Sequence, residues 1–535
     1  MRLSWLTCVD VHYIPRHKNQ CLTIKFSVLK SSKNSVRDVL NTSLFPWPGH
    51  SSDKFTVRNA VEGIQIFGAT GSGKSSGSAK RIARSYLEHG FGGLVLCAKP
   101  DEREVWEKYI KEAGRDHDKL VFDSESGLQF NPIRYEMERD GEGAGQTLNL
   151  VELIMVLFEI SRNFSAGGGG SGKDERFWDN AVKRAIGRII DLLYLGNQEV
   201  TIENMRKVIS TAPNSTEAKQ VVEFVQQTRN PEEQEHVIEE ANNALERWKS
   251  RSYCVRCLLT ALDTEDFDKE ERSRNDLVQS YFFREFARLA DRTKSIVEES
   301  FLGLVEYFNS GLLKAHFSGH VSPELFPEQA YLEKKIIILD FPVKEHLLAG
   351  VLAAGIYKYL FQQSMERRKI EDNGNLTPVF LWVDESQFYL SQYDQLFATT
   401  ARSSLTSIVY LTQNINNYYV AMGDDNSEAK TKSLLGNLTT KIYHANSDFE
   451  TNEYASKAIG ERFRQMTSIQ KQSSNPASPT FSEQLFPQVL AGDFTTLQKG
   501  GNPSNGYKTE AIITQTGHMW SNDLNYLKVK FNQRD

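Results

Sequence analysis

A chain of 535 residues is too long for one compact core, and a composition that is 39% hydrophobic, 25% charged and 11% aromatic excludes a chain disordered throughout. A formal net charge of −6 excludes a uniformly basic nucleic-acid coat but leaves room for a local basic channel. Five cysteines, few for this length and odd in number, point to a reducing compartment.

Met1-Arg2 leads into an alternating polar–apolar segment, which predicts no secretory leader. A spanning helix needs roughly 20 apolar residues. The longest apolar stretches, 148–160 and 347–361, are shorter and carry Glu152 and Lys358. The expectation is a protein with no transmembrane segment, cytoplasmic, and peripheral at the inner membrane only through partners.

Period-two alternation over 3–14 and 21–29 predicts an N-terminal β-hairpin within a 1–60 region. Cys8, His12, His17 and Cys21 bracket its turn, four groups able to ligate zinc at an uncommon spacing. From 61 to 133 short apolar runs alternate with helical stretches: strands at 64–67, 93–97 and 120–122, and helices at 74–89 and 101–113. That rhythm predicts a parallel sheet covered on both faces. Between 134 and 325 the apolar spacing becomes three and four, as in the stripe Val182, Ile186, Ile189, Ile190 and Leu193. An all-helical insertion is predicted there, with one long helical segment over 275–304. The strand–helix rhythm returns over 326–535, with strands at 335–341, 379–383, 407–412, 441–444 and 510–514. The predicted fold class is α/β, with a central, mostly parallel sheet split in sequence by the all-helical insertion.

Gly68-Ala69-Thr70-Gly71-Ser72-Gly73-Lys74-Ser75 fits G-x-x-x-x-G-K-S/T, with a strand before it and a helix after. The glycines let backbone N–H groups turn onto phosphate oxygens, and the helix start adds its positive dipole end. Lys74 is assigned to the β- and γ-phosphates and Ser75 to Mg2+, with Ser76 closing the loop. A second G-x-x-x-x-G-K run at 167–173 is followed by Asp174, whose carboxylate would face the phosphates, and is read as a loop. Phe380-Leu381-Trp382-Val383-Asp384-Glu385 is an apolar strand ending in two acids. Asp384 is assigned to the Mg2+ shell and Glu385 to the attacking water. Gln413 ends the next strand at the same crevice, placed to sense the γ-phosphate or orient water. Arg402 ends the preceding helix and is a candidate arginine finger for a neighbouring subunit. A glycine loop between strand and helix, with an acidic strand end beside it, predicts that the α/β fold is a RecA-like P-loop NTPase, and the cofactors implied are ATP and Mg2+.

Two further signals are weaker. Cys254-Val255-Arg256-Cys257 has no second pair and falls in a helix, so two ordinary helix cysteines are expected. Arg247, Lys249, Arg251 and Arg256, interleaved with Trp248 and Tyr253, suit either a nucleic-acid backbone or a solvated helix end.

The chain resembles the type IV secretion coupling proteins of the TraG/TraD type, conjugative DNA pumps of the HerA/FtsK superfamily. The resemblance rests on 67–76, Phe130-Asn131-Pro132, Phe177-Trp178, 336–342, 381–387, Ala401-Arg402, Leu411-Thr412-Gln413 and 435–461. It implies a DNA-translocating ATPase, a homo-hexameric ring with ATP sites between subunits, and DNA in a central channel. It also implies that the helical insertion engages a relaxase, relaxosome or secretion channel, with Arg402 as the trans finger and Gln413 as the sensor. Two departures stand out. The family's N-terminal membrane helices have no counterpart here, and Cys97-Ala98-Lys99-Pro100-Asp101-Glu102 stands where Asp-Pro-Lys-Gly-Glu is common. The first departure leaves open a soluble HerA-like ATPase serving a nuclease or other effector, or an ATP-gated assembly scaffold.

Overall fold

The computed structural model describes residues 35–165, 173–289, 291–370, 374–423, 426–470 and 478–534. The hairpin read at 3–29, its Cys8/His12/His17/Cys21 set, residues 167–172 of the second glycine run and 471–477 of the polar loop lie outside the described residues.

After a short helix, Val36–Leu40, comes a hairpin of β1 (Ser43–Trp47) and β2 (His50–Thr56), a segment not read as strands from the sequence. Phe45, Trp47 and Phe55 pack ring against ring there and bury against Trp520 and Phe531. The strands that follow are β3 (Ile64–Phe67), β4 (Gly92–Leu96), β5 (Lys119–Phe122), β6 (Ile336–Leu339), β7 (Val379–Val383), β8 (Thr406–Thr412), β9 (Thr440–His444), β10 (Glu461–Gln470), β11 (Ser478–Pro487), β12 (Lys508–Gln515) and β13 (Tyr526–Asn532). Nine of them form one sheet in the order β13-β12-β9-β3-β8-β7-β4-β6-β5. From β9 to β5 every neighbouring pair is parallel. β12 and β13 close one edge in antiparallel fashion.

Continuous apolar strands such as Ile-Ile-Ile-Leu suit a sheet covered on both faces. Along β6, Ile336 and Ile338 enter one core while Ile337 and Leu339 enter the other. The first core lies under helices Lys80–Glu88 and Glu102–Glu112, the hairpin and β13. The second is continuous with the helical region between β5 and β6. Helix Thr147–Ser165 packs on helix Val343–Arg367, so that region is joined to the sheet through side chains as well as through its two connections. Those connections are zipped together by an antiparallel bridge, Phe130 to Val321, with Phe130 N–H donating to His316 O at 2.7 Å.

The single helix read over 275–304 is interrupted. Helix Lys269–Ser280 runs into a π-turn at Tyr281–Glu285 and a 3-10 turn at Phe286–Arg288 before helix Asp291–Asn309. Tyr281, Phe282 and Phe286 contact one another and are all buried, and a widened turn lets three bulky rings point inward together. β10 and β11 form a separate ribbon whose register puts Phe463 opposite Leu485, and Phe463, Met466, Phe481 and Leu485 are exposed. Among the described residues no helix is long and apolar enough to cross a membrane.

Candidate active site

The loop after β3 turns back on itself at Gly71 and Gly73, with φ of +72° and +88°. A side chain at Gly73 would also collide with Thr509, its Cβ lying 2.7–2.9 Å from that residue's side-chain atoms. The loop is anchored from behind: Ala69 N–H donates to Ala445 O at 3.0 Å, and Thr509 Oγ1 donates to Ser72 O at 2.6 Å. β9 and β12 thus supply the wall against which the loop is shaped. The chain then enters a π-turn, Ser75–Ala79, before helix Lys80–Glu88.

The sheet order places β8 between β3 and β7, so the ends of all three open at one crevice. Ser75 Oγ lies 3.4 Å from Asp384 Oδ2 across 309 positions of sequence. Neighbouring oxygens in the octahedral shell of Mg2+ are about 3 Å apart, so these two fit one small divalent cation. Lys74 Nζ is 3.9 Å from Glu385 Oε1. Gln413 Nε2 approaches the same oxygen at 3.5 Å, and its own carbonyl accepts from Asn446 Nδ2 at 2.9 Å. Glu385 has φ +47° and ψ +48°, a left-handed conformation that costs a non-glycine residue energy and that holds its carboxylate over the crevice. A cleft of about 690 Å³ runs from the Ala69–Ser76 loop past Glu385 and Gln413 to Phe388 and Leu347. Leu347, 65% exposed, kinks helix Val343–Arg367 with a positive φ of 49°.

Three participants were not singled out from the sequence. Lys99, after β4, lies 3.1 Å from Glu385 Oε1 and 3.3 Å from Asp384 Oδ2. Glu102 accepts from Ala98 N–H at 2.7 Å and Lys99 N–H at 3.4 Å, which fixes the turn that carries Lys99. Gln387 Nε2 donates to Glu385 Oε2 at 2.9 Å while its Oε1 accepts from Thr412 Oγ1 at 2.9 Å. The only sequence signal for Lys99 was its place in the strand-end segment that replaces Asp-Pro-Lys-Gly-Glu. Glu102 ends that same segment, and Gln387 closes the 381–387 stretch that carries the family resemblance, but no role was assigned to either.

The charges follow from these contacts. Burial opposes the Asp384 charge, but Lys99 and Lys74 outweigh it and hold the carboxyl below its usual range. Glu385 is also low, because its hydrogen bond from Gln387 and the charges of Lys74 and Lys99 overcome burial. Glu102 is pushed well up by burial and by the neighbouring Asp384 charge. Burial would lower Lys99, but Asp384, Glu102 and Glu385 raise it, so it stays an ammonium.

Arg402 is not in this cleft. It lies in the 3-10 turn Ala401–Ser404 before β8, at the opposite edge of the sheet, where it pairs with Glu62 at 3.5 Å and is 54% exposed. Along the seven residues of β8 that edge is roughly 20 Å from the phosphate loop. Cys254 and Cys257 are buried free thiols in helix Tyr253–Asp263, and burial pushes Cys257 up to about 11. The basic–aromatic cluster is folded on itself: Arg251 covers Trp248, Arg256 covers Tyr253, and Lys249 pairs with Glu246 at 2.9 Å. Among the described residues no group of three or more His, Cys, Asp and Glu is arranged to hold a metal.

Residues 378–491 match the model of a domain described as the TraM recognition site of TraD and TraG. The fold is similar to that of the bacterial conjugative coupling protein TrwBdeltaN70 in its unbound monoclinic form, with a TM-score of 0.53 and 11% identity over 94% of this chain and 92% of that one. It is likewise similar to plasmid coupling protein TrwB in complex with the ATP analogue ADPNP and in complex with ADP and Mg2+, each with a TM-score of 0.51 and 11% identity over 94% of this chain and 93% of those. The chain has no match among curated protein sequences.

Proposed function

We propose that this chain is an ATP-hydrolysing, DNA-translocating motor of the TraG/TraD coupling-protein type, working as a homo-hexamer with its nucleotide sites between subunits. The observation that carries the reading is the 3.4 Å approach of Ser75 Oγ to Asp384 Oδ2, with Lys74 and Glu385 beside it. The loop backbone of Gly68 to Gly73 cradles the triphosphate, and Lys74 neutralises its outer oxygens. Ser75 and Asp384 would hold Mg2+, which when bound would screen the charge on the transferred phosphoryl group. Glu385 takes the proton of the attacking water, and Gln413, touching the same carboxylate, orients that water. Phosphoryl transfer needs positioning and electrostatic stabilisation, and these residues supply both. Arg402, remote from its own cleft and 54% exposed, serves in this reading as the finger of a neighbouring subunit's site.

A coupling role and a relaxosome partner are supported by the likeness to the coupling protein TrwB and by the TraM-recognition match over residues 378–491, while DNA as the track and the hexamer rest on the family resemblance of the sequence motifs. The test is ATP turnover with and without single- and double-stranded DNA. A motor shows DNA-stimulated turnover that disappears in Lys74→Ala and in Glu385→Gln. ATP-dependent assembly with turnover indifferent to DNA would overturn the motor and leave a nucleotide-gated scaffold.

A further inference from the structure

Glu385 Oε1 has lysines on two sides. Lys74 Nζ approaches at 3.9 Å from the phosphate loop, and Lys99 Nζ at 3.1 Å from the tip of β4. The sheet order β3-β8-β7-β4 puts these two lysines on opposite sides of the acid pair that ends β7. Lys74 grips the outer phosphates from the loop, and the water that Glu385 activates attacks the last of them. Lys99 lines the same cleft as the phosphate loop, on the side of Glu385 away from that loop.

Electrostatics gives Lys99 a reason to change partners. It now compensates Asp384 at 3.3 Å and Glu385 at 3.1 Å. Ser75 and Asp384 would share any divalent cation bound there, and its charge would neutralise Asp384 and repel the Lys99 ammonium. Glu385 at 3.1 Å and Glu102 at 3.6 Å stay beside that ammonium, and a third phosphate bound in the same cleft would be the most highly charged anion within its reach. Lys99 has the freedom to turn toward it, since its side chain is about a third exposed and lines the same cleft as Lys74 and Gln413. Its backbone stays fixed, because Glu102 holds the N–H groups of Ala98 and Lys99.

We propose that Lys99 is the residue by which this site tells a nucleoside triphosphate from a diphosphate. It binds the terminal phosphate when that group is present and returns to Asp384 and Glu385 when it is not. The inference rests on the nucleotide-site reading above and adds to it the identity of the discriminating group.

The test is equilibrium binding of two probes to the full chain with Mg2+: ADP and the non-hydrolysable analogue ADPNP. Lys99→Met should weaken ADPNP about tenfold and leave ADP within twofold, collapsing the preference for the triphosphate. Lys99→Arg, which keeps the charge, should retain part of that preference. Thermal melting checks that each variant is folded, and Lys99→Gln is the second truncation should the methionine variant not fold. An unchanged ratio, or equal loss of both nucleotides, would overturn the assignment. Lys74→Ala separates the two readings, since it should lose both nucleotides whatever Lys99 does. A wild-type chain that bound neither nucleotide would overturn the site itself, whereas wild-type binding with an intact ratio in Lys99→Met would overturn only the role of Lys99.

Discussion

His444 Nε2 lies 2.7 Å from Ser78 Oγ, while its Nδ1 lies 3.1 Å from Glu510 O. The carbonyl can only accept, so Nδ1 carries the proton and Nε2 accepts from the serine hydroxyl. A neutral imidazole thereby ties the turn after the phosphate loop to β9 and β12. Burial pushes this histidine down to about 3. Its unfolded value is near 6.5, so the unfolded chain takes up the proton first. Stability conferred by the neutral ring is complete above pH 6.5 and is lost as pH falls from there toward 3. The expected loss is on the order of 3–5 kcal/mol over that window. Denaturant unfolding from pH 7 to pH 4 should show a steep decline in the wild-type chain and a shallower one in His444→Gln.

The wall behind the loop is also set by size. A Cβ at Gly77 would come within 2.5 Å of Thr509 Cγ2, and the backbone there is not left-handed. Overpacking of this kind costs about 1–3 kcal/mol. Gly77→Ala should therefore destabilise the protein and weaken nucleotide binding. Thr509→Ser removes the offending methyl and should restore most of the loss in the double variant. Additive losses in that double-mutant cycle would show that the contact is not the cause.

Arg402 pairs only loosely with Glu62, at 3.5 Å and largely in solvent, a contact worth under about 1 kcal/mol. Arg402→Ala should leave folding and ATP binding intact and abolish most turnover, by on the order of a thousandfold. Mixing Arg402→Ala with Glu385→Gln subunits should recover part of the activity if the arginine acts across an interface. Full turnover in Arg402→Ala alone would remove the trans-finger assignment.

Beneath the crevice, Lys358 Nζ lies 2.6 and 2.5 Å from the two carboxylate oxygens of Asp394, and both side chains are fully buried. Gln362, Tyr410 and Ser391 also donate to this carboxylate. Removing one member leaves a charge without its partner, at a cost of about 3–5 kcal/mol. Lys358→Met should show that loss in chemical denaturation. Lys358→Met combined with Asp394→Leu should recover much of it, because neither charge is then left alone.

The parallel strands were legible because each is a short apolar run bounded by turn residues, and β7 was read to the residue at Val379–Val383. β1 was not, since Pro46 sits inside it and β2 begins His-Ser-Ser-Asp-Lys. β10 and β11 escaped for a different reason: their two-stranded ribbon leaves apolar residues in solvent, so no inward-facing pattern marks them. In the site, motif spacing singled out the residues that follow β3, β7 and β8, and the sheet order brings those strand ends to one crevice. The contacts of Lys99 with Asp384 and Glu385, and of Gln387 with Thr412, form only when separate strand ends meet, and spacing along the chain does not report such pairings.

The position of β3 also governs how the molecule comes into being. Its two neighbours are β8, beginning at Thr406, and β9, beginning at Thr440. A ribosome that has released the loop at Gly68–Ser75 has made neither flanking strand, so the segment waits through hundreds of residues with its backbone edges unpaired. Long-range pairing of this sort is slow and exposes aggregation-prone surface in the interval. The helical region between β5 and β6, rich in local contacts, can acquire structure first. Nascent chains truncated before Thr406 should therefore be helical yet blind to nucleotide, and the wait before strand insertion is the period in which this protein most needs a chaperone.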